Sequence, residues 1–285
     1  MTSGAPMLTA LTGDPRAEAP ANGFGPHAHA CWRYSTDAER ARVAGEWLQD
    51  GLDRGYRAVY VADAPLDQLL AELAGVPGRD EAVSDGGLLV LRTADIYDLS
   101  APIDAPTQLA VYADAVERAR QDGYEGLRVA ADITALVADP DRRPAHVRWE
   151  QVADRYISQH PFAPLCMYDS RRLPDLEAIV ACHPLQGPGA APFSIYAAQP
   201  HGAAATGEID LASHAAFREI LAGQPESDRV IDTSGLSFLD GRAAWFLHSH
   251  LVERRAAGHP VVLADPPEVL RRVWTMAGFD AGFLG

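Results

Sequence analysis

The 285-residue sequence contains no lysine: all 24 of its basic side chains are arginine. Without lysine there is no Walker-A phosphate lysine, no kinase-type lysine and no Schiff-base lysine, so lysine-dependent enzymes are excluded. Positive charge is scarce altogether, because 39 Asp and Glu residues leave a formal charge of -15. Nucleic-acid affinity rests on cation contacts that release counterions, so such a balance predicts no nucleic-acid partner. The three cysteines, Cys31, Cys166 and Cys182, are far apart and each sits in or beside an apolar run, which excludes a disulfide scaffold and reads as reduced core cysteines. No apolar run approaches the ~18 residues of a membrane span. The start of the chain lacks a basic segment followed by an apolar one, so no membrane association and a cytoplasmic location are expected.

Apolar residues make up 47% of the chain, enough for real cores, and the length suits two domains. Residues 1–26, rich in Pro and Gly and without periodicity, read as a disordered tail. A second breaker-rich stretch places a linker at 187–192, dividing the rest into domains at 27–186 and 193–285. In the first domain, a strand at His29–Tyr34 precedes Thr36-Asp-Ala-Glu39, a capping-box pattern opening a helix to about Arg54 with Val43, Trp47, Leu48 and Leu52 as its buried stripe. The apolar run Arg57–Ala62 reads as a strand covered on both faces. Helices at 66–74, 107–122, 146–160 and 174–182 then alternate with strands at 88–92, 127–131 and 165–168, which predicts a doubly wound parallel sheet.

The second domain reads as strands at 193–198 and into Gly207, a helix at 212–221, a strand at 229–232, a loop from Thr233 to Asp240, a helix through Trp245 and Val252, a strand at 260–264 and a helix at 267–277. This pattern gives a smaller α/β domain with a mixed sheet.

Two segments of that domain, Gly207-Glu-Ile-Asp-Leu-Ala-Ser213 and Val230-Ile-Asp-Thr-Ser-Gly-Leu-Ser-Phe-Leu-Asp240, resemble a STAS domain of the anti-sigma-antagonist type, with His259-Pro260-Val-Val-Leu263 and Ala277-Gly-Phe279 in the matching places. The resemblance implies partner binding, with an anti-sigma factor or its serine kinase as partner and Ser234, Ser237, Asp240, Gly241 and Arg242 in the partner-binding switch loop. Antagonists of this family carry Asp-Ser-Ser-Gly where this sequence has Asp240-Gly241-Arg242-Ala243. The phosphoacceptor position holds a guanidinium, of opposite sign to a phosphate, and ordinary phospho-switching is not expected there. Ser234 and Ser237 upstream are the remaining hydroxyls, although such residues are common in turns.

The first domain resembles the MEDS sensory family, related to RecA-like clock ATPases, through His29-Ala-Cys-Trp-Arg-Tyr34, Gly51-Leu-Asp-Arg-Gly55, Tyr60-Val-Ala-Asp63, Gly123-Tyr-Glu-Gly126, Cys166-Met-Tyr-Asp169 and His183-Pro184. The implied fold is a RecA-like sheet. A RecA-like ATPase would place a glycine-rich, lysine-ended phosphate loop after the first strand. Here that stretch is Arg33-Tyr-Ser-Thr-Asp-Ala-Glu39, with no glycine, no lysine and two carboxylates. A sensory domain without a phosphate loop, without a cofactor and without enzymatic activity is expected; the alternatives are a RecA-like nucleotide enzyme and a non-sensing scaffold.

Ligands of open α/β sheets sit at the carboxyl ends of the strands, which points to Tyr34, Asp63, Asp132, Tyr168 and Asp169 as the lining of a small-molecule site. His27, His29 and Cys31 share one strand face and invite comparison with a zinc site completed by Cys166 or Cys182-His183, but the usual close ligand spacing is missing and no metal is expected. His248 and His250 read as surface or packing residues, and no nucleophile elbow is present. Homo-oligomerisation is left open by the sequence.

Overall fold

The computed structural model describes residues 12–13, 25–199 and 201–285, so most of the expected tail lies outside the described residues. The elements in chain order are β1 (Thr12–Gly13), β2 (Ala30–Tyr34), α1 (Asp37–Asp53), β3 (Arg57–Ala62), α2 (Leu66–Glu72), α3 (Arg79–Ser84), β4 (Leu88–Arg92), α4 (Thr93–Ile96), α5 (Ala105–Gln121), β5 (Leu127–Asp132), α6 (Arg143–Ile157), β6 (Phe162–Asp169), α7 (Glu177–Ala181), β7 (Leu185–Gln186), β8 (Phe193–Gln199), β9 (Gly202–Ile209), α8 (His214–Gly223), β10 (Val230–Leu239), α9 (Gly241–Ala256), β11 (Val262–Ala264) and α10 (Glu268–Ala277). Contacts divide the described residues into two compact units: the first comprises those up to 146 together with 159–175 and 185–189, and the second comprises 147–158, 176–184 and the described residues from 190 to 285.

The first unit is built on a sheet of order β1-β7-β2-β6-β5-β3-β4. Six of its strands run parallel, and only the two-residue β1 pairs antiparallel, with β7. Every residue of β5 and β6 is buried, as the apolar runs required of strands covered on both faces. Helix α1 presents Val43, Ala44, Trp47 and Leu48 to this core, so the expected stripe forms, with Leu52 packed at its margin. The helix lies close to β5 at Gly51, where a Cβ would stand 2.6 Å from Cγ of Arg128. Arg128, fully buried, stacks on Trp47 at 4.2 Å from the ring and pairs with Asp50.

The second unit contains the mixed sheet β11-β10-β9-β8, in which β8 and β9 are antiparallel and the remaining pairs parallel. The stretch 233–240, expected as a loop, is instead the second half of β10, which continues to Leu239 with register shifts between Asp232 and Gly235 and between Leu236 and Phe238. At the matching point of β9, Gly207 has φ +87°, and a Cβ there would stand 2.2 Å from the Pro192 carbonyl oxygen. The helix expected at 174–182 is also shorter, confined to Glu177–Ala181.

Candidate functional site

In the first unit, the carboxyl ends of β2, β5 and β6 converge. Tyr34 pairs in register with Asp169, and Asp132 with Met167, so Tyr34, Asp132 and Asp169 share one face of the sheet; Tyr168 points to the other. The Tyr34 hydroxyl donates to Oδ2 of Asp132 at 2.8 Å, and Thr134 donates both its backbone N–H (3.1 Å) and its hydroxyl (2.7 Å) to Oδ1. Arg40, in the first turn of α1, donates to Asp132 at 2.8 Å and to Glu72 at 2.6 Å, and Tyr60 donates to Glu72 at 2.7 Å. Burial and the Asp132 carboxylate push the Tyr34 hydroxyl well above its usual range, and burial does the same to Tyr60. This is a continuous chain of side chains, Tyr34–Asp132–Arg40–Glu72–Tyr60, with both phenols held as donors.

The side chains of the other residues expected at the site are not members of this chain, although the Asp169 N–H donates to the Thr134 hydroxyl at 3.0 Å. Asp63 is exposed beyond the end of β3. The Tyr168 hydroxyl lies 3.0 Å from Nε2 of His146. Asp169 receives Arg171 at 2.8 Å, which holds its carboxyl below the ordinary range, and Arg171 also reaches Asp37 at 2.7 Å. Arg40 and Glu72, which complete the network, were not singled out by the sequence reading. The available signal was Arg40 itself, a cation in the first turn of a helix, where the dipole disfavours it unless carboxylates hold it.

The stretch where a phosphate loop would lie is filled by its own side chains. Thr36 caps α1 by accepting the Glu39 N–H at 3.1 Å, and the Glu39 carboxylate reaches past the cap to accept from the Ser35 N–H (2.8 Å), the Ser35 hydroxyl (2.9 Å) and the Trp32 indole (3.1 Å). Although burial raises its pKa, these hydrogen bonds from Ser35 and Trp32 prevail and lower it. Beside the network, a groove of about 630 Å³ runs between α1 and the α2–α3 connection, with Ala41, Gly45, Gln49, Glu72, Val76 and Pro77 among its lining residues. Glu72 is therefore common to the groove and the network. Among the zinc candidates, His29 and Cys166 lie 3.8 Å apart (Nε2 to Sγ), while Nδ1 of His27 contacts the His160 carbonyl.

In the second unit, Asp240 caps α9 by accepting the N–H groups of Arg242 (3.0 Å) and Ala243 (2.8 Å). Nε2 of His214, the first residue of α8, stands 2.9 Å from both Asp240 oxygens. Burial raises the Asp240 pKa, but the Ala243 N–H and His214 outweigh it and the net shift is downward. Ser234 and Ser237 are exposed on β10, and the Ser237 hydroxyl donates to the Gly207 carbonyl at 3.1 Å. A Cβ on Gly241 would meet nothing within 4 Å, so the residue is not required there for space. Arg242 and Arg218 both stand over the Phe246 ring.

The family model for the methanogen/methylotroph, DcmR sensory domain (MEDS) matches residues 28–184, more than half of the chain. The chain belongs to the MEDS family. A second model, the Mlab STAS domain, matches residues 199–285, so a MEDS domain is followed by a STAS domain in the expected order. Comparison with curated proteins returns no match. Both domain families are regulatory, the first sensory, and neither is enzymatic. Among the described residues, no helix is long and apolar enough to cross a membrane.

Proposed function

We propose that this is a cytoplasmic signalling protein whose MEDS domain senses a small molecule and whose STAS domain acts by binding an anti-sigma factor or an anti-sigma-type serine kinase. The observation that carries the reading is the surface at the start of α9. There Asp240 and His214 fix the junction of two helices, while Trp245, 54% exposed, and Arg242 face solvent beside it. That arrangement suits protein binding, where exposed Trp and Arg supply most of the affinity, and the Asp240 carboxylate is engaged in capping α9. On the sensory side, the groove beside Glu72 has a volume in the range of small-molecule sites, and the Tyr34–Asp132 network is placed to register its occupancy through Glu72. The occupied N-terminus of α1 argues against the nucleotide-enzyme alternative, because the amide and side chain that would face a phosphate already hold Glu39.

Calorimetric titration of the full chain with each anti-sigma factor and anti-sigma kinase encoded in the same genome tests this function. Saturable 1:1 binding of at least one of them, lost in Trp245→Ala, is expected. Absence of binding to all of them overturns it.

A further inference from the structure

The surface around the beginning of α9 carries more chemistry than a docking role alone requires. Arg218 and Arg242 are both exposed, with their guanidinium carbons 5.0 Å and 5.5 Å from the centroid of the Phe246 ring. Phe246 is itself buried, wedged against His214 at 5.5 Å and Trp245 at 5.4 Å, so one fixed ring positions two cations. Among the described residues neither guanidinium has a carboxylate partner within ion-pair distance, which in a chain of formal charge -15 is notable in itself. Of the neighbouring acids, Asp240 holds two helix amides and His214 and Asp210 accepts the Ala212 N–H at 3.0 Å, while Glu208, in register with Phe238, is exposed.

Apolar side chains lie at the same end of the sheet. Leu239 of β10 pairs with Ile209 of β9, and beside that pair Phe238 is 42% exposed, while Leu211, just past β9, is 77% exposed. Trp245 is on the helix that follows. Two unpaired guanidiniums flanked by exposed aromatic and aliphatic groups match the composition of interface centres, where Arg and Trp are enriched.

We propose that this face binds an acidic peptide segment of a partner protein, with carboxylates on Arg218 and Arg242 and an apolar side chain against Trp245. The inference rests on the partner-binding reading of the STAS domain and specifies the chemistry of what binds. The occupant is set by charge complementarity. Two guanidiniums and the positive ends of α8 and α9 favour an anion locally and repel a basic segment, while the chain's overall negative charge opposes a polyanion as extended as a nucleic acid or an anionic membrane.

The test uses the full chain and three fluorescein-labelled peptides of one design: Glu and Asp around a central Leu-Phe, the same peptide with Gln and Asn, and the same with Lys and Arg. Fluorescence anisotropy should show the acidic peptide binding at least tenfold more tightly than the amide peptide, with an advantage that shrinks as salt rises, and the basic peptide not at all. The double variant Arg218→Gln/Arg242→Gln should reduce the acidic peptide to the amide level. Trp245→Ala should weaken both. All these substitutions are at exposed positions, and circular dichroism confirms folding. The proposal is overturned by equal binding of acidic and amide peptides, by retention of acidic binding in the double variant, or by arginine-dependent uptake onto phosphatidylglycerol vesicles in place of the peptide. The same double variant titrated with an anti-sigma kinase separates the two readings. Unchanged kinase binding sinks this inference and leaves the proposed function standing, whereas acidic-peptide binding with no binding of any anti-sigma protein sinks the proposed function alone.

Discussion

Nε2 of His214 stands 2.9 Å from both carboxylate oxygens of Asp240, so the residue that opens α8 is tied to the residue that caps α9. The same carboxylate accepts two amide N–H groups at the start of α9. One side chain therefore ties together the starts of the two helices that frame the proposed partner surface.

Replacing Asp240 with Ala removes the cap and the histidine contact together and should cost about 1–2 kcal/mol in urea unfolding of the full chain. Asp240→Asn caps a helix nearly as well, so it should recover most of that loss. Because hydrogen bonding lowers the Asp240 pKa in the folded state, the stabilisation from its ionised form is present above the unfolded carboxyl range and fades as pH falls through the folded value. The Asn variant should lack that acid-dependent component. Identical unfolding curves for wild type and Asp240→Ala would refute the assignment.

Arg242→Ser places a hydroxyl in the first turn of α9 at an exposed position. This variant should become a substrate for an anti-sigma kinase that binds the protein, whereas the unmodified chain should take no phosphate between residues 230 and 242. Phosphopeptide mapping decides the matter. Stoichiometric phosphate on Ser234 or Ser237 of the unmodified chain, both of which lie at the register shifts of β10, would contradict the expectation.

Asp132→Asn removes the charge that pairs with Arg40 inside the strand-end network, while Glu72 remains as the second partner. Loss of one member of a buried pair costs several kcal/mol, and the remaining carboxylate should hold the loss to about 3 kcal/mol in chemical denaturation. Neither wild type nor variant should hydrolyse ATP with magnesium above background. Magnesium-dependent turnover abolished by this substitution would revive the nucleotide-enzyme alternative.

His250 supplies a separate pH dependence. Its Nε2 lies 2.8 Å from Oε1 of Gln224, and burial followed by repulsion from Arg254 lowers its pKa from 6.5 to about 4. Between those values the unfolded chain binds a proton that the folded chain refuses. Stability should therefore be undiminished above pH 6.5 and fall, by on the order of 2–3 kcal/mol, as pH drops towards about 4. In His250→Gln this slope should disappear, which unfolding curves at stepped pH would reveal.

The alternation of strands and helices and the buried stripe of α1 were legible because each depends on local periodicity, and the order of the two domains was legible through the family motifs their sequences resemble. The end of β10 was not. Its buried residues Thr233, Leu236 and Leu239 recur every third position, since each register shift inserts an extra residue, and a strand without period two looks like a loop. Tyr34 and Asp132 were both picked out as strand ends, yet their hydrogen bond joins residues 98 positions apart and no local signal announces it. Glu72 lies at the end of a short helix and has no sequence mark at all; only the fold brings it to Arg40.

The carboxylate of Glu39 lies only four residues along the chain from the Ser35 amide it accepts. A tethered group of this kind competes as though dissolved at millimolar concentration or more, without the entropy loss that a free anion suffers on binding. A dissolved phosphate would have to outcompete a ligand that never diffuses away before it could reach the Ser35 amide.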